Sequence, residues 1–103
     1  MDDIVFIGSP HETPLFEGEG FRCFEPAPGR LVERVLAERR RCRLMAMTQE
    51  TFGALPSWLA HDLLEWTRDQ VFVIPQFPRT SAEKRQVLGE VLRKAARTES
   101  SVA

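Results

Sequence analysis

The sequence has no tyrosine, only two cysteines and no long apolar run. Two cysteines, Cys23 and Cys42, are too few for a disulfide framework, and their separation fits no metal-ligand motif. Apolar runs stay far below the length of about 20 residues that a membrane-spanning helix needs. A secretory signal is not indicated either, because Asp2 and Asp3 replace the usual positive charges. We therefore expect no direct membrane insertion and a cytoplasmic location in which both thiols stay reduced.

An excess of positive charge is also missing. The chain has 14 Lys and Arg residues against 15 Asp and Glu residues, so its formal net charge is -1 and no nucleic-acid partner is indicated. A length of 103 residues suits one compact core. We expect a single unit in which residues 1–80 form a sheet domain and residues 81–103 form a C-terminal helix with a short tail.

Nucleotide-binding motifs are absent as well. The first apolar run is followed by Gly8, Ser9 and Pro10, without the GxGxxG pattern of dinucleotide sites or the GxxxxGK pattern of a P-loop. A helix that starts at this turn would attract an anion only weakly. An ordinary strand-to-helix turn is therefore favoured over a phosphate site, and no cofactor is predicted.

No catalytic group is indicated around the two histidines. His11 is adjacent to Glu12 and His61 to Asp62, and adjacent residues on a helix point to different sides. Cys23 lies within a short strand-like stretch, which favours a packed thiol over a reactive one. Since no nucleophile, base and orienting acid can be assigned together, we predict that the chain is not an enzyme.

Three uninterrupted apolar runs, Ile4–Ile7, Leu44–Met47 and Val71–Ile74, dominate the pattern. Continuous rather than alternating apolar residues are typical of strands that are buried on both faces of a parallel sheet. Phe21–Phe24 alternates and resembles an edge strand, and helical segments separate all four. The sequence predicts an α/β fold: a four-stranded parallel sheet with helices on both faces, in the flavodoxin- or receiver-like order 2-1-3-4.

The same architecture makes a receiver domain an alternative. Receiver chemistry needs an acidic pair after the first strand and a phosphoacceptor aspartate after the third, because together they hold a divalent cation. Asp2 and Asp3 precede the first strand, and the third strand leads into Met47, Thr48 and Gln49. We expect no phosphoacceptor.

The sequence predicts where two amphipathic helices begin and end. The first begins near Leu31 and has Arg40 and Arg41 at its end, where cations suit the negative end of the helix dipole. The second is predicted over residues 81–97 with Ser81 as its N-cap. Lys84 rather than a glutamate stands three residues later, so no capping box is predicted.

Several surface residues are candidates for partner binding. The arginines after the first amphipathic helix form either a solvated helix end or a docking patch for an acidic partner helix. Two prolines would stiffen the loop before the last helix, and two cations would lie on that helix's outer side. An exposed side chain at Trp58 or Trp66 would mark an interface. The predicted partner-binding residues are Arg39, Arg40, Arg41, Arg43, Pro75, Pro78, Arg93 and Lys94.

The layout resembles a known family, the F-subunits of the V-type and A-type rotary ATPases. The similarity lies in "IVFIG" at residues 4–8, "GEGF" at residues 18–21 and "VFVIPQFP" at residues 71–78, followed by a charged amphipathic helix. It extends over residues 4–97.

This resemblance implies a non-catalytic central-stalk protein that couples ATP hydrolysis or synthesis to ion transport. Its partners would be the D-subunit, which is the coiled-coil axle of the stalk, and other ATPase subunits. Its C-terminal helix would contact the axle or the head. It would be cytoplasmic and peripheral to the membrane through the complex. The alternative that the residues leave open is a receiver-like or orphan flavodoxin-like interaction domain without a phosphoacceptor, which could form a homodimer in isolation.

Overall fold

A computed structural model describes residues 4–27, 29–66 and 70–102 of the chain. The elements follow in the order β1 (Ile4–Ile7), α1 (Thr13–Glu17), β2 (Arg22–Phe24), α2 (Leu31–Glu38), β3 (Leu44–Thr48), α3 (Gln49–Gly53), α4 (Ser57–Trp66), β4 (Val71–Ile74) and α5 (Ser81–Val102). Strands and helices thus alternate, except that two helices connect β3 to β4.

The four strands form one parallel sheet in the order β2-β1-β3-β4. The central strands β1 and β3 are buried along their whole length, as their uninterrupted apolar sequences require. The predicted α/β fold and strand order are confirmed.

Helices cover both faces of this sheet. On one face, Val5, Ile7 and Met45 belong to a core that includes Val35 of α2 and Leu59 of α4. On the other face, residues that alternate with these pack against α1 and α5; this second core contains Ile4, Phe6, Leu44, Phe16, Val91 and Ala95. Each central strand therefore supplies side chains to two cores, which explains why its sequence is a continuous apolar run.

The N-cap of α5 lies one residue before the predicted one. The Glu83 N–H donates to Thr80 Oγ1 at 3.1 Å, and the Thr80 N–H donates to Glu83 Oε1 at 3.2 Å. These reciprocal bonds form a capping box in which Thr80 is the N-cap, and Ser81 is the first helical residue. The prediction of Ser81 as the cap, without a capping box, was wrong because the backbone turns into the helix one residue earlier.

Both amphipathic helices also end elsewhere than predicted. α5 continues to Val102, five residues beyond the predicted end at residue 97 and through most of the predicted tail. α2 stops at Glu38, before the predicted end at Arg40 and Arg41, and Arg39 is its C-cap. The N–H groups of Arg41 and Cys42 both donate to the Glu38 carbonyl oxygen, which turns the chain toward β3.

Within the described ranges, no helix combines the length and apolar character needed to cross a membrane.

Candidate functional site

The loops after β1, β2 and β3 meet at the carboxyl edge of the sheet, because the three strands are parallel neighbours. A cleft of about 560 Å³ lies between them. Its lining residues include Ser9, Glu12, Pro26, Ala27, Glu50 and Thr51. The site is therefore assembled from segments that are far apart in the sequence.

Gly8 allows the first of these loops to pack tightly. A Cβ atom at this position would lie 2.6 Å from Glu12 Oε1 and 2.6 Å from the Phe6 ring atom Cε2, so a larger residue would displace both. The Gly8 N–H donates to the Phe24 carbonyl oxygen at 3.1 Å, which joins this loop to the end of β2.

The carboxylate of Glu12 folds back onto the same loop. Its Oε1 accepts a hydrogen bond of 3.1 Å from the Ser9 N–H, and the residue is only 3% exposed. A phosphate at this turn would need that N–H group, which the protein's own carboxylate already occupies. The geometry therefore disfavours an anion and favours the ordinary turn expected from the sequence.

The lining of the cleft contains acidic and apolar side chains. Of the described residues that line it, only Glu12 and Glu50 are charged, and both are acidic. The apolar part of the wall contains Leu31 and Val32 of α2 together with Leu55 and Pro56. The cleft thus combines an apolar wall with two carboxylates.

Ser9 and His11 form a contact that resembles a nucleophile and its base. Ser9 Oγ lies 3.1 Å from His11 Nδ1, on an exposed part of the turn. The neighbouring acid, Glu12, binds the Ser9 backbone N–H instead of the imidazole. Glu12 therefore does not act as the acid that would complete a catalytic triad with Ser9 and His11.

The cysteines have the properties of packed thiols. Burial, followed by the charges of Glu17 and Glu25, raises the pKa of Cys23 from 9.0 to about 11. Burial and the charge of Glu38 raise the pKa of Cys42 to about 11. A nucleophilic cysteine needs a lowered pKa, so neither thiol is activated.

Metal and phosphoacceptor chemistry finds no support in the described part of the chain. No group of three or more His, Cys, Asp or Glu side chains in those ranges could hold a metal ion. β3 ends at Thr48, and the hydroxyl group of Thr48 accepts a hydrogen bond from the Thr51 N–H as the cap of α3. Asp2 and Asp3 lie outside the described residues.

The predicted partner-binding arginines lie at the opposite edge of the sheet from the cleft. Arg39, Arg40, Arg41 and Arg43 all belong to the turn between α2 and the amino end of β3, which we call the arginine turn. Arg40 and Arg41 are exposed, whereas Arg39 and Arg43 are half-buried.

The other four candidates lie along the last connection and its helix. Pro75 is exposed and Pro78 is buried in the loop after the carboxyl end of β4. Arg93 is exposed and Lys94 is half-buried on α5, about 18 Å along the helix from Ser81. The eight candidates therefore do not form one patch, because the prolines and the arginine turn lie at opposite edges.

An exposed apolar surface that the sequence left open lies on α4. Trp58 is 55% exposed and Leu64 is 51% exposed, with His61 one helical turn from each. The Trp66 side chain is not among the side chains that the structure describes. Large exposed apolar residues on one helix are a feature of protein–protein contact surfaces.

Comparison of the chain with protein-family models, with curated proteins and with solved structures found no match.

Proposed function

We propose that the chain is a non-catalytic central-stalk component of a V-type or A-type rotary ATPase. In this proposal it binds the D-subunit, the coiled-coil axle, and couples ATP hydrolysis or synthesis to ion transport. The resemblance of its layout to the F-subunit family supports the assignment. The observation that carries it is the outer surface of α5.

α5 has an outer face that could receive another helix. Its 22 residues extend over about 33 Å, and Val91 and Ala95 anchor the inner face in the core. Ala82, Gly89 and Ala96 are spaced seven residues apart on the outer face and are exposed or half-exposed. We call these three residues the small-residue stripe.

The spacing of the small-residue stripe is the repeat of a coiled coil. Positions seven residues apart stay on one side of a helix through two turns, and small side chains allow the backbone of a partner helix to come close. Leu92, which is 40% exposed, borders the stripe and gives it an apolar contact. Such a surface suits one helix of a coiled-coil axle.

Charged residues beside the small-residue stripe would set the register of the partner. Arg85 and Arg93 are exposed on the outer side of α5, and Lys94 and Glu90 are half-buried next to them. Charges at the rim of an interface mainly raise the association rate and fix the orientation. Pro75 and the buried Pro78 would hold the start of α5 so that the helix moves as a unit.

The arginine turn would serve a second contact in the complex. Arg40 and Arg41 are exposed at the amino edge of the sheet, where α2 ends. Together with Arg39 and Arg43 they would dock an acidic helix of another ATPase component.

A second candidate is an interaction domain that docks through α4, as a homodimer or on another protein. The exposure of Trp58 and Leu64 favours this candidate. The two candidates use different helices on opposite faces of the sheet, so surface variants distinguish them.

A pull-down of the cognate coiled-coil axle tests the stalk assignment. We expect the intact chain to retain the axle, and a chain that ends at Thr80 to lose it. Because truncation also removes core residues, the paired reversal Arg93→Glu with Lys94→Glu gives a milder test, and it should weaken retention. Arg30→Glu, an exposed reversal on the face opposite to α5, is the control.

Failure of the intact chain to retain the axle would count against the stalk assignment. Unchanged retention by the paired reversal would remove Arg93 and Lys94 from the interface. Loss of retention in Trp58→Ala, with the reversal unaffected, would favour docking through α4 instead.

A further inference from the structure

The cleft at the carboxyl edge is separate from the surfaces used in the proposed function. α5 covers the other face of the sheet, and the arginine turn lies at the other edge. The cleft lies at the carboxyl ends of β1 and β3, whose connections run in opposite directions, from β1 toward β2 and from β3 toward β4. Ligands of open α/β sheets bind at this switch point, and a volume of about 560 Å³ is ordinary for a small-molecule pocket.

Glu12 supplies an incompletely bonded carboxylate to the cleft. It is 3% exposed, and Oε1 accepts the Ser9 N–H. Within the described ranges, Oε2 has no hydrogen-bond partner. Oε2 is not among the fully buried polar atoms that lack a partner in the described ranges, so it reaches solvent. Because Glu12 lines the cleft, a cationic group there can hydrogen-bond to it.

The remaining charge of the cleft has the same sign. Glu50 lines it from the first turn of α3, and no basic side chain is found among the described lining residues. Two carboxylates at one site repel an anion and attract a cation. A phosphate or carboxylate ligand is therefore disfavoured.

The rest of the lining includes several apolar side chains. Leu31, Val32, Leu55 and Pro56 provide a surface on which a hydrocarbon chain or ring could be buried. A bare inorganic cation would leave this surface without contact, and two carboxylates are fewer oxygen ligands than a calcium site needs.

We propose that the cleft binds a small organic cation, an ammonium or guanidinium group carried on an apolar body. The charged group hydrogen-bonds to Glu12 Oε2 and pairs with Glu50, and the apolar body packs on Leu31 and Leu55. This inference does not depend on the stalk assignment.

Titration of the isotope-labelled full chain with phenylbutylamine, followed by amide NMR, tests the proposal. Phenylbutanol is the matched probe, because it has the same apolar body with a hydroxyl group in place of the ammonium group. We expect saturable shifts at Gly8, Gly29 and Ala54, which line the cleft. The alcohol should bind about tenfold more weakly, which is the effect of about 1.4 kcal/mol.

Two variants assign the charge recognition to named residues. Glu12→Gln keeps an acceptor for the Ser9 N–H and should reduce amine affinity about tenfold. Glu50→Gln changes an exposed residue, so it decides the question if the Glu12 variant does not fold. Glu33→Gln, on the exposed side of α2 and outside the cleft, should leave the affinity unchanged.

Equal affinity for the amine and the alcohol would overturn the proposal, because it would show an apolar cleft without cation recognition. Shifts that do not saturate, or that do not involve the cleft residues, would also overturn it. So would an amine affinity that Glu50→Gln leaves unchanged.

Discussion

Glu38 joins the edge of the sheet to α2. The residue is 1% exposed, its Oε1 accepts from Arg22 Nη1 at 3.1 Å and its Oε2 accepts from Arg34 Nη1 at 3.2 Å. Arg34 also lies over the Phe24 ring, 4.2 Å from its centroid. Since Arg22 and Phe24 belong to β2, the carboxylate ties a three-residue edge strand to the helix that covers it.

We expect Glu38→Ala to lower the free energy of unfolding by about 2–4 kcal/mol, because it removes the shared acceptor of two arginines from a buried position. Glu33→Ala on the same helix is the matched control. Both partners of its ion pair with Arg30 are exposed, so the free energy of unfolding should fall by less than about 1 kcal/mol. Urea denaturation of both variants measures the difference, and equal losses would contradict the role given to Glu38.

The raised pKa values of Cys23 and Cys42 predict that the stability of the protein depends on pH. Their pKa values are about 11 in the folded protein and near 9.0 when the thiols are unperturbed. Between these values the folded state retains protons that the unfolded state releases, so the thiols' contribution to stability is complete below about pH 9 and is lost as the pH rises through 11.

Thiolate absorbance measures this titration directly, because the chain has no tyrosine to obscure it. We expect a midpoint near 11 for the native protein and near 9.0 in denaturant. A native midpoint at the denatured value would show that the thiols are not packed as described.

At the same scale, Glu12 shows what the sequence could not reveal. The sequence places it beside His11 and indicates no partner for it. Its contact with the Ser9 N–H depends on a tight turn that only a glycine at position 8 allows, so it appears once the backbone is known. The absence of a phosphate motif at this turn, in contrast, could be read from the residues alone.

Among the elements, the strands were more predictable than the helix ends. β1 and β3 are buried along their whole length, and burial on both faces leaves a continuous apolar signal in the sequence. β4 carries an equally continuous apolar run, although it is an edge strand with two half-buried residues. The N-cap of α5 depends on which residue leaves the helical conformation, and Thr80 and Ser81 are chemically similar as caps. The structure was needed to choose between them.

The cap gives a prediction for α5. Thr80→Ala removes the acceptor of the Glu83 N–H and should lower the free energy of unfolding by about 1 kcal/mol. Ser81→Ala, one residue later and inside the helix, should have little effect or stabilise slightly. Thermal or urea unfolding of the two variants compares the positions, and a larger loss in the Ser81 variant would restore that residue as the cap.

In the whole molecule, the order of the strands determines which loops meet. Parallel neighbours bring Glu12, Ala27 and Glu50 to one cleft although long segments separate them in the sequence. Fold class and strand order followed from the apolar runs, but the cleft did not, because no single segment contains enough of it. The partner-binding candidates were chosen by local charge and rigidity, and the fold distributes them over two edges and one helix.

The central claim is that the outer face of α5 receives a coiled-coil helix, and one pair of glycine variants tests it most directly. Gly89→Gln places a long side chain in the small-residue stripe, and Gly53→Gln makes the same change at the end of α3 on the other face. A Cβ atom at Gly89 meets only Arg93 Nη1, at 3.6 Å, and one at Gly53 meets nothing within 4 Å, so both variants should fold.

Affinity for the cognate coiled-coil axle, measured by calorimetry on both variants and the unchanged chain, is the decisive quantity. We predict that the unchanged chain and Gly53→Gln bind alike, and that Gly89→Gln binds about tenfold more weakly because its side chain keeps the partner helix away. Equal binding by Gly89→Gln and Gly53→Gln, or no binding by the unchanged chain, would contradict the claim.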